Sequence, residues 1–322
     1  MSAGWSRPLH LPPPGEGAGV VVFTGQGAQK TGMARDFVEA FPLAAAVFDE
    51  ASEALDLDLR ALCFEADERL NLTAFTQPAI LTAEVAMFAV AHSEWGYRPA
   101  LFGGHSLGEY AALVAAGVLP LAEAVRLVAA RGRLMQEAVP VGVGAMAALI
   151  GENLDVNAIT AELSDLVVDV ANHNSPDQVV LSGASADIDL AITRLSGPGR
   201  RGKKLVVSAP FHSRLMAPIE PAFAELLRQS APTWRIEGAS RVASNTTGGL
   251  HEADVGALIT ALTRQISGTV RFVDNMAALQ GEPVIEIGPS RVLRAFFQAV
   301  GRPAEAVTNL ASARRAFQGP TA

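Results

Sequence analysis

Ala100-Leu101-Phe102-Gly103-Gly104-His105-Ser106-Leu107-Gly108 is the stretch from which the fold can be worked outward. Ala100–Phe102 reads as a short apolar strand, and the residues from Leu107 to Ala116 read as a helix. Between them lies a Gly-x-Ser-x-Gly turn. A sharp strand-to-helix turn leaves no room for side chains two residues before and two after the serine, which is where Gly104 and Gly108 stand. Such a turn lifts the hydroxyl above the sheet and onto a helix N-terminus, where the dipole favours developing negative charge. The five-residue pattern alone also fits an ordinary glycine-rich turn. The strand before it and the helix after it are what make Ser106 a candidate nucleophile.

Upstream, Val20-Val21-Val22-Phe23 is a continuous apolar run ended by Gly25, as a buried parallel strand requires. Helical periodicity covers Ala44–Leu55, Ala79–Ser93 and Pro120–Val139, the last stopped by Pro140. After Pro140 the pattern changes. Gly142 and Gly144 form a linker, and strands are expected at Met146–Ile150, Val167–Ala171, Val179–Ser182 and Leu205–Val207. Helices near Val156–Leu163 and Asp187–Leu195 complete a β-α-β-β-α-β order, the signature of a split βαβ module. The main fold is expected to resume with a helix after His212, strands at Arg241–Ser244 and Val284–Ile287, and a closing helix near Val292–Val300. The division that follows is an α/β large subdomain with a parallel sheet (18–140 and 208–322) and an inserted small subdomain (141–207). The Pro12-Pro13-Pro14-Gly15 segment makes residues 1–17 a disordered leader.

With 322 residues, 49% of them hydrophobic, the chain can bury a substantial core. Its net charge of −8 argues against a general nucleic-acid binder. A single cysteine, Cys63 in Leu62-Cys63-Phe64, excludes an internal disulfide framework and reads as a buried, inert thiol. The longest apolar stretch, Ala79–Ala91, is broken by Glu84 and is too short to span a bilayer. A soluble, cytoplasmic protein is expected, without nucleic-acid or membrane partners and without a metal. No Gly-x-x-x-x-Gly-Lys loop or dinucleotide fingerprint is present, so no resident cofactor is expected.

A nucleophilic serine needs a base. Of the six histidines, His10 lies in the leader, His92 is mid-helix, and the side chain of His105 should point away from Ser106. His173, His212 and His251 remain. His212 sits where a strand gives way to a helix, the kind of strand-end loop where catalytic groups of open α/β sheets collect. His173 reads as structural, and His251, after Gly248-Gly249, as a surface residue; residue pattern alone does not rank the three decisively. Arg131 is out of place. It falls in the apolar stripe of its helix with Val125, Val128, Gly132 and Met135, where a guanidinium must be paired. Its partner is either an internal carboxylate or the carboxylate of a substrate.

Taken together, the chain resembles malonyl-CoA:acyl-carrier-protein transacylases, which include fatty-acid enzymes and freestanding polyketide acyltransferases. The resemblance runs through Phe23-Thr24-Gly25-Gln26-Gly27-Ala28-Gln29, Thr76-Gln77-Pro78-Ala79, Gly104–Tyr110, Arg131–Ala138, Asn172-His173-Asn174-Ser175-Pro176, Pro210-Phe211-His212-Ser213 and Glu286-Ile287-Gly288-Pro289-Ser290. It implies Ser106 as nucleophile, His212 as base, and Arg131 on the free malonyl carboxylate. It also implies an oxyanion hole from the backbone N–H groups of Gln26 and Leu107, and Gln265 orienting His212 through its carbonyl. Phe211 before the histidine goes with malonyl in polyketide-type members. The implied fold is a hydrolase-like α/β core with an inserted ferredoxin-like subdomain. The implied partners are malonyl-CoA, as substrate, and a phosphopantetheinylated acyl carrier protein, and a monomer is expected. Thr24 and Ser290 depart from the family's usual proline and glycine.

Three other assignments fit parts of this pattern: an acyl hydrolase that clears stalled carriers, a malonyl-transferring subunit of a malonate decarboxylase, and a general esterase using His251. An acidic carrier docking on a net-negative chain needs a locally basic patch. Arg200-Arg201-Gly202-Lys203-Lys204 is the densest such cluster, and it reads as a solvated charged turn.

Overall fold

The computed structural model describes residues 17–207 and 209–318. Apart from Gly17, the leader lies outside the described residues, as do His10 and Ser208. In chain order the strands are β1 (Val20–Phe23), β2 (Leu101–Gly104), β3 (Gly144–Gly151), β4 (Val168–Ser175), β5 (Gln178–Ala184), β6 (Arg200–Lys204), β7 (Val284–Ile287) and β8 (Ala304–Val307). They form two sheets.

The larger subdomain carries β2-β1-β7-β8, paired in parallel throughout. Side chains alternate across it: Val21, Phe23, Ile285 and Ile287 enter one core, and Val20, Val22 and Val284 enter another on the opposite face. Both faces are covered, so the strands read as unbroken apolar runs. The helix beneath the first face, Thr73–Glu94, extends well beyond the Ala79–Ala91 run. By length and composition it could cross a membrane, but 89% of its apolar window is buried inside the protein. A helix apolar all round is at home in such a core. The acid in its middle, Glu84, is fully buried, and burial holds its carboxyl well above the usual range. Cys63 is likewise buried, and burial together with Asp58 pushes its thiol up to about 12, leaving it inert.

The inserted segment follows the expected β-α-β-β-α-β order, with helices at Val156–Glu162 and Ser185–Leu195. Its sheet runs β4-β5-β3-β6, antiparallel at every pair. One face, with Ala147, Leu149, Val179 and Leu181, packs on its own helices. Met146, Ala171 and Val180 join the core of the large subdomain instead. Two backbone bonds, Val270 N to Ala171 O and His173 N to Val270 O, stitch β4 to the large subdomain.

Three expectations change. The last strand of the insert is Arg200–Lys204, not Leu205–Val207, and the basic cluster is therefore an edge strand rather than a turn. An edge strand with a solvated face can be charged, so a search for apolar runs passes over it. Arg241–Ser244 forms only isolated bridges, Val242 to Phe102 and Ala243 to Leu250. The strand β8 and the helix Leu310–Gln318 were not expected, because Ala304-Glu305-Ala306-Val307 at the sheet edge is too short and too polar to stand out.

Candidate active site

Ser106 tops the turn between β2 and the helix Gly108–Ala115, with φ of 53°. A left-handed non-glycine residue costs roughly 1–3 kcal/mol and must be held by its surroundings. The flanking glycines permit the turn. A Cβ on Gly104 would lie 2.0 Å from the Gly108 carbonyl carbon, and one on Gly108 would lie 2.3 Å from the Phe23 oxygen. Asn245 clamps the turn: its Oδ1 accepts from Ser106 N at 2.6 Å and its Nδ2 donates to Gly104 O at 2.8 Å.

The Ser106 Oγ lies 2.7 Å from His212 Nε2. His212 is also left-handed, with φ of 57°, in the loop that follows β6. Its Nδ1 lies 2.8 Å from the carbonyl oxygen of Gln265, just past the helix Val255–Arg264. A carbonyl oxygen only accepts, so Nδ1 carries the proton and Nε2 faces the serine as a base. Burial, then the charge of Arg131, then His105 hold His212 down at about 3, so it is neutral at ordinary pH.

Arg131 is 1% exposed, on the inner face of the helix Leu121–Glu137. Gly132 beside it lets this helix press against Thr73, where a Cβ would meet the Thr73 oxygen at 2.5 Å. That approach brings the guanidinium to Gln77 Oε1 (2.9 Å), Gln265 Oε1 (2.9 Å) and Ser106 Oγ (3.0 Å). All three partners are neutral, and its carbon lies 5.6 Å from the Tyr110 ring centroid. No carboxylate among the described residues forms an ion pair with it, so the internal salt bridge left open by the sequence is not there. Arg131 therefore presents a cation without a direct ion-pair partner beside the nucleophile, and the charge of Glu109 acts on it from behind Gln265.

The remaining histidines separate clearly. His251 is buried rather than at the surface, its Nε2 2.7 Å from Glu109 Oε1, and it does not reach Ser106. The glycine turn before it folds back, because Leu250 bridges Ala243 and His251 N donates to Val242 O, while Val242 itself bridges Phe102 at the sheet edge. His105 points to Asn174 Oδ1 at 2.7 Å, its ring against Phe272. His173 sits in β4, and His92 is buried in the last turn of its helix rather than mid-helix.

A cavity of about 550 Å³ opens between the two subdomains over Ser106. Gln26, Arg131, Met135, Met146, Phe211 and His212 are among its walls. The backbone N–H groups of Gln26 and Leu107 donate no hydrogen bond among the described residues. The Thr24 hydroxyl, where the family usually has proline, donates to Glu84 at 2.5 Å. No group of three or more His, Cys, Asp or Glu among the described residues could hold a metal ion.

Three site residues were not given roles by sequence reading, Gln77, Glu109 and Asn245, while His251 was read as a surface residue or an esterase base. Gln77 and Glu109 stand inside quoted motifs, and Glu109 is an acid in the first turn of an otherwise apolar helix, which was a usable signal. Asn245 lies in an aperiodic loop that offered none.

Comparison with known proteins identifies the family. The acyl transferase domain family matches residues 20–316. A malonyl CoA-acyl carrier protein transacylase of Escherichia coli K12 is 42% identical over 284 residues, covering 84% of this chain and 89% of the relative. One of Bacillus subtilis is 40% identical over 292 residues, covering 87% and 90%. Among solved structures, the transacylase of Xanthomonas oryzae superposes with a TM-score of 0.88 at 37% identity, covering 95% of this chain and 99% of that one. A malonyl-transacylase solved in complex with its type II PKS acyl-carrier protein gives 0.88 at 38% identity, covering 94% and 100%. The chain belongs to the acyl transferase domain family, among the malonyl CoA-acyl carrier protein transacylases.

Proposed function

We propose that the chain moves a malonyl group from malonyl-CoA to the phosphopantetheine thiol of an acyl carrier protein, through an ester on Ser106. The observation that carries this reading is Arg131, a buried cation with only neutral partners, 3.0 Å from the Ser106 hydroxyl. A guanidinium so placed is matched by a substrate that brings its own carboxylate. A hydrolase acting on uncharged acyl groups has no use for it, and an esterase based on His251 lacks the contact to Ser106.

His212 Nε2 takes the Ser106 proton as Oγ attacks the thioester carbonyl, and Gln265 steadies the imidazolium through Nδ1. The oxyanion faces the Gln26 and Leu107 N–H groups. The C–S bond then breaks, and His212 returns the proton to the CoA thiolate. In the second half the carrier thiol gives its proton to His212 and attacks the ester, and Ser106 leaves as the alcohol. Phe211 fills the wall where an α-substituent on the acyl group would sit, which favours malonyl. The small subdomain is read as ferredoxin-like, supported by its strand order, and the large one as hydrolase-like. No resident cofactor is required, and the enzyme is taken as a cytoplasmic monomer.

Incubation with malonyl-CoA followed by peptide mass spectrometry tests the reading. A malonyl adduct on the Ser106 peptide, discharged by a phosphopantetheinylated carrier, is the expected result. Loading of acetyl in preference to malonyl would overturn it. A second expectation concerns pH. The kcat/KM for loading reports the free enzyme, in which His212 is depressed to about 3. The rate should therefore hold level from pH 8 to 5, and a half-loss near 6.5 would contradict the depressed base. Stability has the same sign. The unfolded chain binds the proton more readily, so the contribution of His212 is lost as pH falls from 6.5 towards 3.

A further inference from the structure

Glu109, 1% exposed, receives three donors. His251 Nε2 meets Oε1 at 2.7 Å, while Gln265 Nε2 (2.7 Å) and Asn245 N (3.0 Å) meet Oε2. Two of these donors belong to residues that hold the reacting groups. The Gln265 carbonyl carries His212, its Oε1 accepts from Arg131, and its Nε2 also reaches Ser106 O at 3.1 Å. Asn245 carries the Ser106 N–H. The carboxylate also decides which end of the Gln265 amide faces Arg131. A flipped amide would set its N–H groups against the guanidinium and its oxygen against the carboxylate.

We propose that His251 is a positioning residue for acyl transfer, acting through Glu109 on Gln265 and Asn245 and so on His212, Arg131 and Ser106. It deepens the malonyl-transfer reading given above and rests on it. The physical reason is the single load on Oε1. Without His251 that oxygen is buried with no donor, a costly state relieved by rotating the carboxyl. Rotation draws Oε2 away from Gln265 and Asn245 together. A shift of their anchors by a fraction of an ångström reaches the Ser106–His212 contact, and catalysis is steep in that distance. The acid missing beside His212 is thus supplied one residue further out, and His251 fixes it.

The test is the single-turnover rate of Ser106 loading, by rapid quench and mass spectrometry, counted per folded site. His251→Leu is expected to slow loading about tenfold at saturating malonyl-CoA, with the malonyl-CoA dissociation constant little changed. His251→Gln, which keeps a donor, should recover most of the rate. A purely structural role would lower the number of competent sites and leave the rate per site unchanged, and that result overturns the proposal. If His251→Leu does not fold, His251→Asn replaces it: its amide is too short to reach Glu109, and equal rates for Asn and Gln overturn the idea. The same variants are compared with a fluorophosphonate reagent, which reads the Ser106–His212 pair whatever the acyl group. Wild type that takes the reagent but not malonyl defeats the functional reading while leaving the role of His251 measured.

Discussion

Ser106→Ala is expected to leave no malonyl adduct and to lower transfer by roughly 10⁴-fold or more, as for other enzymes stripped of a covalent nucleophile. The reason lies in the 2.7 Å contact to His212: without Oγ, the base has no proton to take and the acyl group no atom to ride on. His212→Ala should be nearly as slow, because Ser106 then has only Arg131 and cavity groups beside it, none of them a base. Malonyl-CoA binding should persist in both, since neither change touches the guanidinium's contacts to Gln77 and Gln265. Loss of binding in parallel with rate, seen by calorimetry, would show that the serine is structural.

Arg131→Ala should be the most informative change for substrate choice. Removing one partner of a buried charge pair costs about 3 kcal/mol, about a hundredfold in kcat/KM for malonyl. Acetyl or other uncharged acyl groups should lose far less, because they leave the guanidinium unpaired in the native enzyme. The ratio of malonyl to acetyl loading therefore falls, as read by competition between the two thioesters. An unchanged ratio removes Arg131 from the carboxylate role. The variant also leaves the Gln77 and Gln265 oxygens without their donor, so some loss of stability should accompany it.

Local pattern was a good guide where one interaction dictates the residues. The β1 run, the glycines of the elbow and the order of the insert were all legible, since burial on both faces, a steric limit and alternating periods each leave a mark on the sequence. Arg131 was visible as a violation of its helix's pattern. Elements whose residues obey no simple period were missed: the charged edge strand β6, the short β8, and the loop holding Asn245.

The sequence by itself determined that Ser106 sits on a strained turn, that a βαββαβ module interrupts an α/β core, and that a cation lies on an apolar face. Only the tertiary structure decided which histidine meets the serine, what Arg131 touches, and that His251 is buried behind Glu109. Those contacts join residues separated by 25 to 142 positions. Spacing along the chain constrains neighbours within a helix turn or a strand, whereas contacts of that range are set by how whole elements pack.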